Sequence, residues 1–263
     1  MINLHERLSE FSYGYGVTRE VERRLAARGL RATPFLPSLL HEASLGFDVA
    51  FSGPGQVVML QFKLGQELSR FRRLDPSETI PALSKPFWRY YVDTTEHQFL
   101  RLEEFEAHGA DVFYVAPRFS HWSAYDAAFH GNQVLQRSLL LRPSEIQRGS
   151  GGTPGEHRIV YDRIRRYVCS EPRAVEEVTP DELVEKLDVR ARSQEPLISR
   201  LERLVSSERA RGTPQLARSR QRDIRSRART PADGLAAIVG LEAWLQGTQV
   251  LFITPFETAV LSE

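Results

Sequence analysis

The sequence GFDVAFSGPGQVVMLQFKL, residues 46–64, decides the expected fold. It contains two runs rich in β-forming residues, 46–52 and 56–64, with the turn-forming sequence Gly53-Pro54-Gly55 between them. Two such runs joined by a short turn are typical of a β-hairpin. The stretch therefore predicts two neighbouring antiparallel strands, and the rest of the chain is considered from there.

Side chains alternate between the two faces of a strand, so this hairpin has one apolar and one polar face. With the turn centred on Pro54-Gly55, Asp48 lies directly opposite Gln61, and Lys63 follows on the same polar face. Lysine is rare in this chain, which has 35 basic residues but only the lysines Lys63, Lys85 and Lys186. The apolar face, expected to pack beneath helices, carries Phe47, Val49, Phe51, Val58, Leu60 and Phe62.

A carboxylate, an amide oxygen and an ammonium group on one face suit phosphodiester hydrolysis with Mg²⁺, which binds hard oxygen ligands. Asp48 is the expected principal ligand, and the Gln61 amide oxygen and the Phe62 backbone carbonyl are further ligands. Lys63 is expected to orient or deprotonate the attacking water, or to neutralise charge on the phosphoryl group. The predicted cofactor is Mg²⁺, with Mn²⁺ as a substitute.

Helical and strand patterns continue on both sides of the hairpin. A helix over 18–28 precedes it, after a predicted loop at Tyr13-Gly14-Tyr15-Gly16, because apolar residues recur at helical spacing and Gly29 ends the pattern. The aromatic cluster at 87–91 is expected in the core, with base stacking as the alternative. Beyond the hairpin the patterns predict helices over 96–108 and 122–136, a strand from Asp111, and edge strands over 138–141 and 158–161.

The motif GFDVAF, a short turn and VVMLQFK resembles the PD-(D/E)xK nuclease superfamily in its D…QxK form, as in Mrr-like restriction enzymes and some bacterial antiphage effector nucleases. The resemblance covers residues 12–146. It implies an α/β fold with a restriction-endonuclease-like αβββαβ core, in which helices flank a central mixed sheet. It also implies a Mg²⁺-dependent endodeoxyribonuclease that acts in restriction or antiphage defence. The implied substrate is DNA, in double-stranded form.

The chain departs from the family motif at two positions. Phe47 stands where the family often has proline, and Gln61 stands where it has a carboxylate, which removes one negative charge from the metal site. In many relatives the first helix supplies an acid, and Glu20, preferred over Glu22, matches it as a catalytic residue and metal ligand. The alternative is that both glutamates are solvated helix charges.

After residue 172 the chain becomes polar and predicts helices over 180–190, 194–211 and 231–246. We therefore expect a nuclease domain over 1–170 and a mainly helical accessory region over 171–263. An arginine-rich tract lies within this region, and it is expected to bind phosphates or, alternatively, to form a solvated or disordered arm. The residues predicted to contact nucleic acid are Lys85, Arg218, Arg220, Arg222 and Arg225.

Composition limits the remaining possibilities. The net charge is only +1, so attraction to DNA must come from local patches. No apolar run approaches the roughly 20 residues of a membrane span, and the start lacks a signal peptide, so a cytoplasmic protein without membrane contact is expected. The single cysteine, Cys169, excludes an internal disulfide.

Two hypotheses from different classes follow. The first is the nuclease. Cutting both strands of a duplex usually involves two such sites, which favours a homodimer, and a partner defence protein is a further candidate. The second is a catalytically weakened nuclease-fold protein that binds nucleic acid or assembles a complex.

Overall fold

The computed structural model describes residues 8–35, 49, 51–73, 76, 78–169, 171–210 and 215–256, and for 207–210 and 215–217 the backbone alone. Over these ranges the chain forms an α/β structure with eight helices and ten strands. The helices are α1 (Glu10–Ala26), α2 (His97–Ala107), α3 (Trp122–His130), α4 (Pro143–Ser150), α5 (Pro180–Ala191), α6 (Leu197–Ala210), α7 (Gln215–Arg227) and α8 (Pro231–Leu245). The strands are β1 (Leu30–Pro34), β2 (Gln56–Phe62), β3 (Gln66–Leu68), β4 (Phe87–Asp93), β5 (Asp111–Pro117), β6 (Ser138–Leu141), β7 (Glu156–Tyr161), β8 (Arg166–Cys169), β9 (Pro172–Ala174) and β10 (Thr248–Pro255).

Helix α1 begins at Glu10, well before the predicted start at Thr18. The stretch Tyr13–Gly16, predicted as a loop, is helical, so that prediction is wrong. Each glycine costs a helix about 1 kcal/mol relative to alanine, which is why the sequence argues against a helix here. The reason for the glycines lies in the packing of α1 against other parts of the chain.

Gly14 and Gly16 lie where α1 makes very close contacts. A Cβ atom on Gly14 would come within 2.7 Å of the Phe62 ring, and one on Gly16 would come within 3.0 Å of the Tyr125 ring. Tyr13, between them and fully buried, donates a hydrogen bond to the Ser138 Oγ at 2.7 Å. The Tyr-Gly-Tyr-Gly sequence therefore permits tight helix packing and does not form a turn.

The first sheet has five strands in the order β1-β10-β2-β5-β6. Strand β1 is antiparallel to β10, and β5 is antiparallel to β6. Strands β2 and β5 run parallel: the Gln56 Nε2 at the start of β2 donates to Asp111 at the start of β5 (2.6 Å), and the Lys63 N–H beyond the end of β2 donates to the Val115 carbonyl (3.0 Å). The central sheet is thus mixed, as predicted.

Strand β2 is covered on both faces, because residues 56–61 are all buried and only Phe62 is partly exposed. The predicted division of this strand into an apolar core face and an open polar face is therefore wrong. Parallel strands in α/β folds are covered by helices on both sides, so they read as continuous apolar runs without strict alternation. The sequence QVVMLQF has that character.

The predicted hairpin partner of β2, residues 46–52, lies mostly outside the described residues, and its described members belong to no strand. Strands β10 and β5 lie on the two sides of β2, so for the described residues 49, 51 and 52 the predicted hairpin pairing is wrong. The chain near the predicted turn pairs instead with the start of α6. The Leu197 N–H donates to the Gly53 carbonyl and the Ile198 N–H to the Phe51 carbonyl, both at 2.9 Å.

The second sheet is antiparallel throughout, in the order β3-β4-β7-β8-β9. Strand β7, expected at an edge, lies in its interior. Strand β4 contains the aromatic cluster, of which Phe87, Trp88 and Tyr90 are buried, confirming the core interpretation for these three. Tyr91 is partly exposed, and the Arg89 guanidinium lies 5.1 Å from the centre of its ring.

The other local predictions agree with the structure in most places. Helix α2 and strands β5 and β6 lie where the sequence predicts them, whereas α3 ends at His130, before the predicted end at Gln136. Helices α5, α6 and α8 match the three predicted C-terminal helices, and α8 starts with a capping box between Thr230 and Asp233. Strand β10 was not expected, so the region after residue 170 is only partly helical.

Contacts within the chain define two compact units. The described residues of the first come from the ranges 1–20, 60–106 and 112–183, and those of the second from 21–59, 107–111 and 184–263. The sequence instead predicts a single boundary at residue 170. In the described part of the chain, no helix has the length and apolar character needed to span a membrane.

Candidate functional site

Gln61 and Lys63 lie at the end of β2, in the first unit. Gln61 is buried, with 4% of its surface exposed, and its Nε2 lies 3.4 Å from the Phe62 carbonyl oxygen. The Lys63 N–H donates to the Val115 carbonyl, so Lys63 continues the pairing with β5. Since side chains alternate along an extended chain, Gln61 and Lys63 leave one face and Phe62 the other. The structure thus places the predicted amide and ammonium groups on the same face of the strand end.

Different helices cover the two faces of this strand end. The Phe62 ring meets the Tyr13 ring of α1 edge-on, with 5.8 Å between ring centres. On the other face, the half-buried Lys63 side chain reaches α2, where its Nζ donates to the Gln98 Oε1 at 3.3 Å. This contact restricts the position of the ammonium group.

The sequence does not indicate Gln98. It lies 35 residues from Lys63, at the start of α2, and a polar residue in a first helical turn is ordinarily a solvated one. Only the parallel crossover from β2 through α2 to β5 places this helix start near the strand end. Gln98 is therefore a residue of the candidate site that the tertiary structure adds.

Asp48, the predicted principal metal ligand, lies outside the described residues. Its predicted cross-strand position opposite Gln61 therefore also lies outside the described residues. The role of Asp48 as a ligand stays a prediction that depends on the motif alone.

Glu20, the predicted acid of the first helix, is buried with 2% of its surface exposed. Its Oε1 accepts the Val134 N–H at 2.8 Å, and its Oε2 accepts the Leu135 N–H at 3.0 Å. Buried backbone N–H groups need acceptors, and an ionised carboxylate is a strong one. Glu20 therefore holds the segment between α3 and β6 in place, and the alternative that it is a solvated helix charge is wrong.

Glu22, the second candidate for that acid, lies half-buried on α1. Burial raises the pKa of the Glu22 carboxyl, since it leaves the ionised form less hydrated than in water. It too is more than a freely solvated charge. Whether either glutamate binds metal stays a prediction.

The described residues do not fit a Mg²⁺ site by themselves. Mg²⁺ is held by several hard oxygen ligands, usually including carboxylates. The Gln61 amide and the Phe62 carbonyl are neutral, and both Glu20 oxygens already accept backbone N–H groups. In the part of the chain that is described, no group of three or more His, Cys, Asp or Glu side chains can hold a metal ion. A Mg²⁺ or Mn²⁺ site thus needs a carboxylate from outside the described residues, and Asp48 is the one that the motif predicts.

A surface pocket of about 410 Å³ lies shortly after Lys63 in the chain and belongs to the first unit. Within it, the Ser120 hydroxyl donates to the Glu67 carboxylate at 2.7 Å. Lys85, predicted to contact phosphate, is exposed and directly precedes a residue of the pocket wall. The wall consists of Gly65, Gln66, Glu67, Leu68, Ser69, Pro86, Ser120 and His121.

The arginines predicted to contact nucleic acid lie on α7, in the second unit. This helix buries Gln221 and Ile224, one turn apart, on its inner face. Residues three and four apart share a helix face, so Arg218, Arg222 and Arg225 form one stripe. The predicted nucleic-acid contacts on this helix are all exposed, namely Arg218, Arg220, Arg222 and Arg225.

Comparison of the chain with protein-family models, curated proteins and solved structures found no match. The resemblance to the nuclease superfamily therefore stays a prediction from the motif. Arguments about function must come from the contacts of the described residues.

Proposed function

We propose that the protein is a metal-dependent nuclease that hydrolyses the phosphodiester bonds of DNA. The observation that carries this proposal is Lys63, held half-buried at the end of a central strand by a 3.3 Å hydrogen bond to Gln98, with the Gln61 amide on the same face. An ammonium group held in place stabilises developing charge better than a mobile surface lysine, because it need not reorganise during the reaction.

Lys63 would act on the phosphoryl group. As water attacks phosphorus and the bond to the leaving oxygen breaks, negative charge grows on the phosphoryl oxygens. An ammonium group has three N–H donors, so Lys63 can bond to Gln98 and still donate to a phosphate oxygen or to the attacking water. Gln98 is then a positioning residue, which keeps the ammonium directed to one place.

The metal belongs to the proposal through Asp48. With Asp48 as principal ligand, the Gln61 amide oxygen and the Phe62 carbonyl would complete the protein's contribution, and the bound ion would supply Lewis-acid stabilisation. Glu20 enters this set only if its carboxylate can bind metal while it accepts two backbone N–H groups. Its contacts favour an anchoring role.

DNA binding is supported separately by exposed cationic side chains. The α7 stripe of Arg218, Arg222 and Arg225 and the exposed Lys85 suit phosphate contacts that do not depend on sequence. The biological setting we propose, restriction or antiphage defence with a homodimer for duplex cutting, follows from the motif resemblance.

The test compares two lysine variants. Lys63→Ala is expected to lower cleavage of linear or plasmid DNA, with Mg²⁺ or Mn²⁺, by about 10²- to 10³-fold, the usual loss for a charge-stabilising group. Lys85→Ala is the matched control, because it removes an exposed lysine and should weaken DNA binding with little effect on the rate at saturating DNA. Asp48→Ala is expected to abolish cleavage while DNA binding persists.

Two outcomes would contradict the proposal. Unchanged cleavage by Lys63→Ala would remove Lys63 from the chemistry. A wild-type protein that binds DNA but never cuts it with either metal would favour the second hypothesis, a nuclease-fold protein that binds nucleic acid or assembles a complex.

A further inference from the structure

Helices α1 and α3 present an aromatic surface made of Phe11, Tyr15, Trp122 and Phe129, all in the first unit. Phe11 is 87% exposed, Tyr15 is 60% exposed and Trp122 is 44% exposed. Three of these rings are linked: Tyr15 stacks on Phe129 with 5.9 Å between centres, and Tyr125 bridges Phe129 and Trp122 at 5.7 and 5.3 Å. Phe11 lies one turn before Tyr15 on the same face of α1. Soluble proteins rarely expose so many neighbouring rings without a binding role.

The surface is rigidly built from beneath. Tyr125, which is largely buried, donates its hydroxyl to the Ser12 carbonyl of α1 at 2.6 Å. Gly16 lets α1 approach this ring closely, since a Cβ there would lie 3.0 Å from it. The two helices are thus locked together, and the exposed rings are held ready for a ligand, which lowers the entropy cost of binding.

The chemistry of the surface suits unpaired bases. The exposed large apolar side chains described on α1 and α3 are all aromatic, and a flat ring can stack on the face of any base. The Arg19 guanidinium lies 4.3 Å from the centre of the Phe129 ring, which places a cation for phosphate beside rings for bases. Two acids also lie here: Glu10 near the helix start, and Asp126, which pairs with His130 at 3.5 Å.

The aromatic surface adjoins the pocket at the start of α3. Trp122 directly follows His121, which forms part of the pocket wall. A strand whose bases stack on the rings can therefore extend toward this pocket. The exposed Lys85, next to the pocket, can contact its backbone.

We propose that the aromatic surface binds single-stranded nucleic acid by base stacking and directs an unpaired strand toward the pocket that adjoins Trp122. The binding step stands on the exposed rings, and its consequence for cleavage rests on the proposed nuclease function. The protein would then prefer unpaired, frayed or flapped DNA over intact duplex.

The binding test uses a fluorescein-labelled oligothymidylate of 20 nucleotides in EDTA, so that no cleavage occurs, and measures fluorescence anisotropy. Trp122→Ala and Phe11→Ala are each expected to weaken binding by about 5- to 150-fold, the loss of one stacked base. Phe11 is so exposed that its replacement leaves the fold intact. Trp244→Ala is the matched control: this tryptophan of α8 is 49% exposed but lies outside the aromatic surface, and binding should change less than twofold.

A second readout separates stacking from charge attraction. Stacked bases quench tryptophan, so the oligothymidylate should quench the fluorescence of wild type and of Trp244→Ala but not that of Trp122→Ala. A blunt duplex should bind with almost equal affinity to wild type and Trp122→Ala, since its bases are already stacked.

Equal affinity of both ring variants and wild type for the oligothymidylate would overturn the proposal. So would self-association of wild type that Trp122→Ala abolishes while oligothymidylate binding is unchanged, because the surface would then join two copies of the chain. Lys63→Ala distinguishes the two proposals: if it binds the oligothymidylate normally but cleaves like wild type, the stacking surface stands and the nuclease assignment fails.

Discussion

Replacing Glu20 with glutamine tests whether this buried carboxylate holds the fold or binds metal. In the structure its two oxygens accept the Val134 and Leu135 N–H groups at 2.8 and 3.0 Å. A glutamine has the same shape but presents one oxygen and one NH₂ group. One backbone N–H therefore loses its acceptor and faces another donor.

The expected cost follows from these two bonds. Leaving a buried donor without a partner costs about 1–3 kcal/mol, and the surviving bond loses about 1 kcal/mol because its acceptor is no longer charged. Removing a buried charge offsets part of this loss. We therefore expect Glu20→Gln to lower the free energy of unfolding by about 2 kcal/mol.

The assay is urea unfolding followed by circular dichroism, in which 2 kcal/mol moves the midpoint by about 0.7 M at a slope of about 3 kcal/mol per molar. Glu22→Gln is the matched control on the same helix. Burial raises the pKa of the Glu22 carboxyl, so folding disfavours its ionised form, and a neutral side chain should leave the midpoint unchanged or slightly higher. If Glu20→Gln unfolds at the wild-type midpoint yet no longer cleaves DNA, the anchoring role is refuted and a metal role gains support.

Three further predictions concern other parts of the molecule. Gly14→Ala should lower the free energy of unfolding by about 1–2 kcal/mol, because its Cβ would lie 2.7 Å from the Phe62 ring. Adding Phe62→Leu should recover part of this loss. Equal stability of Gly14→Ala and wild type would contradict the close contact. Burial raises the pKa of the Cys169 thiol to about 11, above its unfolded value near 9. The stability that the neutral thiol contributes is therefore present below pH 9 and declines as the pH rises toward 11. Between pH 8 and 10 wild type should lose about 1 kcal/mol more than Cys169→Ala in urea unfolding, and parallel pH profiles would refute this. In a plot of log affinity for duplex DNA against log salt concentration, replacing Arg218, Arg222 and Arg225 by alanine should reduce the magnitude of the slope by about 2.7. An unchanged slope would show that these side chains do not contact phosphates.

The sequence by itself determined the elements whose signals are local. Helices α2, α5, α6 and α8 and strands β5 and β6 follow from apolar periodicity and from nearby stop signals, such as Gly109 after α2. It also singled out Lys63, because lysine is rare in this chain, and Gln61, which stands two residues before it in the QxK motif. Neighbouring residues encode such features because each helix or strand must bury its own apolar side.

Tertiary structure alone decided which strands pair and what the polar groups of the candidate site contact. The sequence predicts a hairpin for β2, but β10, far along the chain, takes the place beside it. The loop expected over Tyr13–Gly16 is helical, because its glycines admit rings from distant segments. The contacts of Lys63 with Gln98 and of Glu20 with the Val134 and Leu135 N–H groups likewise join distant positions. Hydrogen bonds and close packing between remote segments leave no periodic signal in sequence, so only the folded chain reveals them.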